Sequence, residues 1–128
     1  MVKRLELRAA AAGIRLEAYA GGWARCYLTH EGGEVFLGAE SLPNIVERLS
    51  SGLCGAGGEV AGHMSGRAVW WVLSLAEQHC TLYVTADGGE PTLFWQDRNG
   101  SLLAALALPE ATRGEWCEQL SRAARGET

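Results

Sequence analysis

Four cysteines, Cys26, Cys54, Cys80 and Cys117, and three histidines, His30, His63 and His79, are the residues from which a nucleophile–base pair or a metal site would be built. No two cysteines have the close spacing of a zinc knuckle or a redox dithiol. Cys54 and His63 would meet only on a glycine-rich segment that holds no geometry. Cys80 and its neighbour His79 point to opposite faces if the segment is a strand. The cysteines therefore read as free thiols packed like small apolar residues, with Cys54 alone placed for exposure. Gly55-Ala56-Gly57-Gly58 has the composition of a phosphate cradle. Such cradles need a strand before the glycines and a helix directly after, and the pattern here is the reverse. Asp87, Glu90 and Glu110 are the carboxylates that topology would gather at one rim. Paired carboxylates perform acid/base chemistry only in a pocket that raises a pKa, and exposed turns do not supply one. No catalytic residue, cofactor or metal is assigned.

These residues sit on elements that hydrophobic period makes legible. Arg67–Leu75, Cys80–Thr85, Thr92–Asp97 and Ser101–Leu108 are β-type runs joined by short turns, and Pro109 opens an amphipathic helix with Trp116, Cys117, Leu120, Ala123 and Ala124 on one stripe. Asp97-Arg98-Asn99-Gly100 predicts a type I′ hairpin, because Asn-Gly supplies positive φ angles. In the first half, Leu5 and Leu7, then Ile14, Leu16 and Ala18, alternate with polar residues. With Ala24–His30 and Val35–Leu37 they predict a four-stranded meander. A helix follows, with Ser41 as N-cap, Pro43 in its first turn, a stripe of Leu42, Ile45, Val46 and Leu49, and Gly52 as terminator. Residues 51–66 hold six glycines and read as a long internal loop, with a short strand around Glu59–Ala61.

The fold expected is α+β: seven or eight mostly antiparallel strands in one curved sheet, as two meanders, with two helices packed on it and residues 1–128 forming one domain. Two packed sheets are the alternative. The predicted core is Leu5, Leu7, Ile14, Leu16, Leu28, Ile45, Leu49, Trp71, Leu73, Leu82, Val84, Leu93, Trp95, Leu106, Trp116 and Leu120. Trp70 and Phe94 fall on the opposite faces of their strands, covered by the first helix or forming an exposed platform.

An apolar content of 48% with 20% charged residues excludes a disordered chain. Glu6 and Arg8 break any signal-peptide core, and no run approaches the roughly 20 apolar residues of a membrane span. A soluble, cytoplasmic protein is the expectation. The net charge of −4 lies wholly after residue 67, where four arginines face eight acids; in residues 1–67, seven cations balance seven acids. Such a half disfavours nucleic acid, which needs a basic stripe, and suits a basic partner.

The runs Val69-Trp70-Trp71-Val72-Leu73-Ser74-Leu75 and Thr92-Leu93-Phe94-Trp95-Gln96-Asp97, with Leu108-Pro109-Glu110 and Glu115-Trp116, resemble small bacterial immunity proteins encoded beside contact-dependent or other polymorphic toxins. The resemblance spans about residues 68–120 and carries over no site residue. It implies a non-catalytic protein that binds and neutralises a toxin domain, often a basic nuclease. The partner surface it suggests is the acidic turns of the second meander, Glu77, Asp87, Glu90 and Asp97, with Trp70 or Phe94 as an aromatic anchor. A small-molecule-binding or enzymatic domain, using a cavity of the curved sheet with the glycine-rich segment as lid, is the other reading.

Overall fold

The computed structural model describes residues 4–55 and 59–126, and it uses one plan twice, an antiparallel meander followed by a helix. Strands β1 (Arg4–Arg8), β2 (Ala12–Ala18), β3 (Trp23–His30) and β4 (Gly33–Ser41) form the first sheet in sequence order. Their alternation sorts the faces: Leu5 pairs with Leu16 and Leu7 with Ile14, while on the other face Arg4 pairs with Glu17 and Glu6 with Arg15. Arg4 and Glu17, opposite each other, close into an ion pair at 2.7 Å, while Arg8 pairs with Glu6 along β1 at 2.6 Å and Arg15 reaches across β3 to Glu34. The outer face of this sheet is thereby self-compensated.

Helix α1 (Leu42–Cys54) starts where expected, with Ser41 Oγ accepting from the Asn44 N–H at 3.2 Å. It does not stop at Gly52. A Cβ there would lie 3.1 Å from Val84 Cγ1 and 3.2 Å from Val72 Cγ2. Gly52 is thus the point where the helix lies closest to the sheet, and the helix runs on to Cys54. Residues 60–64 pair as a strand, so the expected loop over 51–66 shrinks at both ends. The centre of the glycine run, 56–58, lies outside the described residues.

The second sheet, β5 (Val60–Met64), β6 (Arg67–Leu75), β7 (Cys80–Thr85), β8 (Thr92–Gln96) and β9 (Leu102–Ala107), is again in sequence order, and α2 (Glu110–Ala124) follows. Among the described residues the fold is therefore α+β with nine strands in two antiparallel sheets, and the single curved sheet expected from the sequence is corrected. The physical reason is α1, which carries the chain away after β4 so that β5 begins a new ladder. The sheets touch at one bridge, where Ala39 and Ala76 exchange N–H···O bonds of 3.1 and 2.8 Å. Gly38, beside that bridge, has φ +135°, and a Cβ there would meet the Ala76 carbonyl at 2.5 Å.

The core fills the space between both sheets and both helices, with Trp95, Trp116, Leu37, Leu49 and Leu93 fully buried. One assignment of the core fails. Trp71 is 46% exposed, whereas Val72 and Leu73 are both buried. The β6–β7 register slips between Trp71 and Leu73, so Val72 is an extra residue and strict alternation breaks there. Trp70, Leu73 and Leu75 consequently share the inner face with Val84, Leu82 and Cys80, and Trp71 turns outward. The β8–β9 turn also departs from expectation. Gly100 alone has positive φ, +86°, and the Gly100 N–H reaches the Asp97 carbonyl, giving a three-residue loop rather than a type I′ turn.

Cys54 and Cys117 are bridged, which corrects their reading as free thiols. The spacing of 63 residues gave no sign of it, because only the packing of α1 along α2 brings them together. Trp116 Nε1 donates to the Arg8 carbonyl at 2.8 Å and ties α2 to the end of β1.

Candidate functional site

The ends of the two helices and the β7–β8 loop enclose an open cleft of about 470 Å³. Each wall follows from local chemistry. The loop is braced by Arg67, whose Nε and Nη2 both donate to Asp87 at 2.8 Å and whose Nη1 donates to Thr92 Oγ1 at 3.0 Å. Asp87 Oδ1 also accepts from the Gly89 N–H at 2.9 Å, so the carboxylate folds the loop around itself. A Cβ at 89 would stand 2.9 Å from Arg67 Nη2 and 3.2 Å from Asp87 Oδ1, so a side chain there would have to displace the guanidinium. The guanidinium beside it holds the Asp87 carboxyl far below the usual carboxylate range, helped by the Gly89 N–H.

The opposite wall is the C-terminal end of α1. Arg113, on α2, donates from Nη1 to the Leu53 carbonyl at 3.1 Å, and the Cys54–Cys117 bridge sits one helical turn further along α2. A cation on the last carbonyls of a helix is the favourable end of its dipole. Half-buried Trp70 packs against the core and backs the cleft. Glu90 and Glu110 complete the lining. Neither makes an ion pair among the described residues. Glu110 lies in the first turn of α2, where a negative charge complements the helix dipole.

The structure thus joins Glu90 and Glu110 at one rim, with Asp87 beside them inside its arginine clamp. It does not bring together the four acids of the expected partner surface. Glu77, in the β6–β7 turn with φ +71°, and Asp97, in the β8–β9 turn, lie at the other end of the sheet, about 20 Å away along a six-residue strand. Asp97 Oδ1 is engaged by the Asn99 and Ser101 N–H groups at 2.9 Å each. Phe94 is 3% exposed and unavailable as a surface anchor, while Trp70 is half-buried and lines the cleft. The exposed aromatic of the outer face is Trp71, with the Arg48 guanidinium 4.9 Å from its ring. Sequence reasoning missed Arg113 as a cleft residue and the cysteine bridge that joins the two helices beside it. The i, i+4 spacing of Arg113 and Cys117 was visible, but not what they face.

The other candidates for chemistry are accounted for by structure. Cys26 and Cys80 are buried side by side, and burial pushes the Cys80 thiol up to about 11 and Cys26 higher still, so both stay protonated. His30 Nδ1 accepts from the Gly32 N–H at 3.1 Å and belongs to its turn. His63 is exposed on β5, and His79 sits in the β6–β7 turn at φ +51°. Among the described residues no three His, Cys, Asp or Glu side chains form a metal-binding group, and no helix is long and apolar enough to cross a membrane. The chain matches no protein-family model, no curated protein and no solved structure.

Proposed function

We propose that this chain is a non-catalytic protein-binding module, an immunity protein that neutralises a basic toxin domain through the rim of the acidic cleft. The observation that carries the reading is the pair Glu90 and Glu110. They are two carboxylates without ion-pair partners among the described residues, on an open cleft backed by an indole. The charges of the first sheet pair among themselves, so the unpaired negative field of the molecule is concentrated after residue 67. Uncompensated charge at a rim steers an oppositely charged partner and raises its association rate. The carboxylates whose ionisation is displaced, Asp87 and Glu6, are pulled down by arginines and fixed as anions, the reverse of what a general acid needs.

The test is calorimetric and kinetic titration against the toxin-like domain encoded by the adjoining gene. Binding should weaken with salt, and Glu90→Lys with Glu110→Lys should slow association about tenfold while leaving the fold intact. Unchanged association in the double variant sinks the acidic-rim reading, and no binding at all sinks immunity.

A small-molecule site is the second reading, favoured by the cleft volume, which falls in the roughly 300–1,000 Å³ range of ligand pockets. Fragments that shift the Trp70 indole resonance without a protein partner would support it.

A further inference from the structure

We infer that the Cys54–Cys117 bridge is a redox latch on the cleft. A dithiol reductant attacks it at Cys54, and reduction releases the last turn of α1, which is one wall of the cleft. The residues that flank Cys54, Leu53 and Gly55, both line the cleft, and Arg113, one turn before Cys117, lines it from α2. The bridge thus ties the end of α1 to the helix beside it.

The end of α1 depends on that tie because its own sequence closes the helix badly. Helices are commonly closed by a left-handed glycine or by a cation in the last turn. Helix α2 has such an end, with the Arg125 N–H returning to the Ser121 and Arg122 carbonyls and Gly126 at φ +77°. Helix α1 has neither. Gly55 follows it in the extended region at φ −115°, and its last turn carries no basic residue. Ser50, Ser51 and Gly52 are also poor helix formers. Ile45, Val46 and Leu49 anchor the earlier turns in the core, whereas in the last turn Leu53 alone is buried. The Arg113 bond to the Leu53 carbonyl and the bridge supply the rest.

The chemistry is thiol–disulfide exchange. Cys54 is exposed and Cys117 half-buried, so the reductant's thiolate reaches Cys54 Sγ. The S–S bond breaks as a mixed disulfide forms on Cys54. Cys117 leaves as a thiolate, favoured by the guanidinium one turn away, and takes a proton from water. The reductant's second thiol then displaces Cys54, which is protonated in turn. Two electrons and two protons pass to the bridge, and the reductant ends as its own disulfide. Cys26 and Cys80 do not compete, because both are buried and protonated. Glu90 and Glu110 stand on the β7–β8 loop and at the start of α2, so the acidic rim is present in both states. The latch therefore holds or fails independently of partner binding.

Dithiothreitol, added to the intact chain under native conditions, is the probe. The rate of reduction should rise in proportion to its concentration, as direct attack on an exposed sulfur requires. A rate that levels off, limited by unfolding, overturns the site. Backbone NMR of the two states should show the helical Cα chemical shifts of residues 52–55 falling by about half or more on reduction, as a locally opened turn requires. Those of residues 45–49 should stay in place, and the Trp70 indole resonance should move. Cys54→Ala/Cys117→Ala should reproduce the reduced spectrum without reductant, which assigns the change to this bridge. Unchanged shifts in the last turn overturn the latch. So does reduction that unfolds the whole chain, since the bridge then staples the fold rather than one turn.

Discussion

Breaking the Cys54–Cys117 bridge should cost the fold about 4 kcal/mol. The bridge closes a loop with a sequence separation of 63, and its Cα atoms are 5.8 Å apart, the usual distance for a bridged pair. Chain-entropy arithmetic for a loop of that length removes about 14 cal/mol/K from the unfolded chain, or about 4 kcal/mol at 25 °C. Nothing comparable is lost from the folded side. Cys54 is exposed and Cys117 half-buried, so replacing both by alanine opens no core cavity. The double variant Cys54→Ala/Cys117→Ala and the reduced wild type should therefore unfold alike in guanidinium, with midpoints about 1 M below that of the oxidised protein. Thiol counting is the control. The unreduced protein should titrate two thiols when denatured, Cys26 and Cys80, and almost none when native, because both are buried and protonated. Superimposable oxidised and reduced curves would refute the tether argument, and four thiols in the unreduced, denatured protein would refute the bridge itself. The outcome also bears on compartment. Bridges of this kind persist in oxidising surroundings, so a cytoplasmic copy is expected to work without this stabilisation.

Two further perturbations probe the frame of the cleft and the joint between the sheets. Gly38→Ala should destabilise by about 3 kcal/mol in equilibrium unfolding, because the residue holds φ +135° and its Cβ would stand 2.5 Å from the Ala76 carbonyl and 2.6 Å from Leu75 Cβ; a loss under about 0.5 kcal/mol would show that the Ala39–Ala76 joint is slack. Asp87→Asn should flatten the acid limb of the stability profile. The folded pKa of Asp87 is depressed, so the unfolded chain takes up this proton first. The wild type is stabilised above the ordinary aspartate range near about pH 4 and loses that contribution as pH falls toward the folded value. Parallel acid limbs in wild type and variant would mean that the Arg67 clamp is not made in solution.

What could be read in the sequence follows from the range of the physics involved. Strands β6 and β7 stand at the boundaries that their hydrophobic period predicts, and β8 and β9 within one residue, since alternation and turn residues are local signals. Ser41 as N-cap and Pro43 in the first turn are local as well. The departures all come from contacts made across the fold. Gly52 looks like a helix stop and is a helix–sheet contact, because Val72 and Val84 are contributed from 20 and more residues away. Trp71 looks like core until one extra residue, Val72, is inserted into the ladder and exchanges the faces of everything before it. Cys54 and Cys117 pair only because α1 and α2 lie together.

The candidate site divides on the same line. That the β7–β8 turn and the start of α2 share one end of the sheet is a consequence of meander connectivity, and it places Glu90 near Glu110 before any coordinate is known. The same connectivity sends Glu77 and Asp97 to the other end, since successive hairpin turns alternate. Four acids drawn from consecutive turns therefore could not form one patch. What connectivity cannot supply is the state of each charge. Arg67 lies 20 residues before Asp87, and its clamp removes that carboxylate from the field a partner would meet. Arg113 turns to the Leu53 carbonyl instead of to either glutamate. The negative potential of the rim thus depends on where two arginines are directed, which makes Glu90 and Glu110, rather than the acid count of the second half, the quantity that binding experiments should vary.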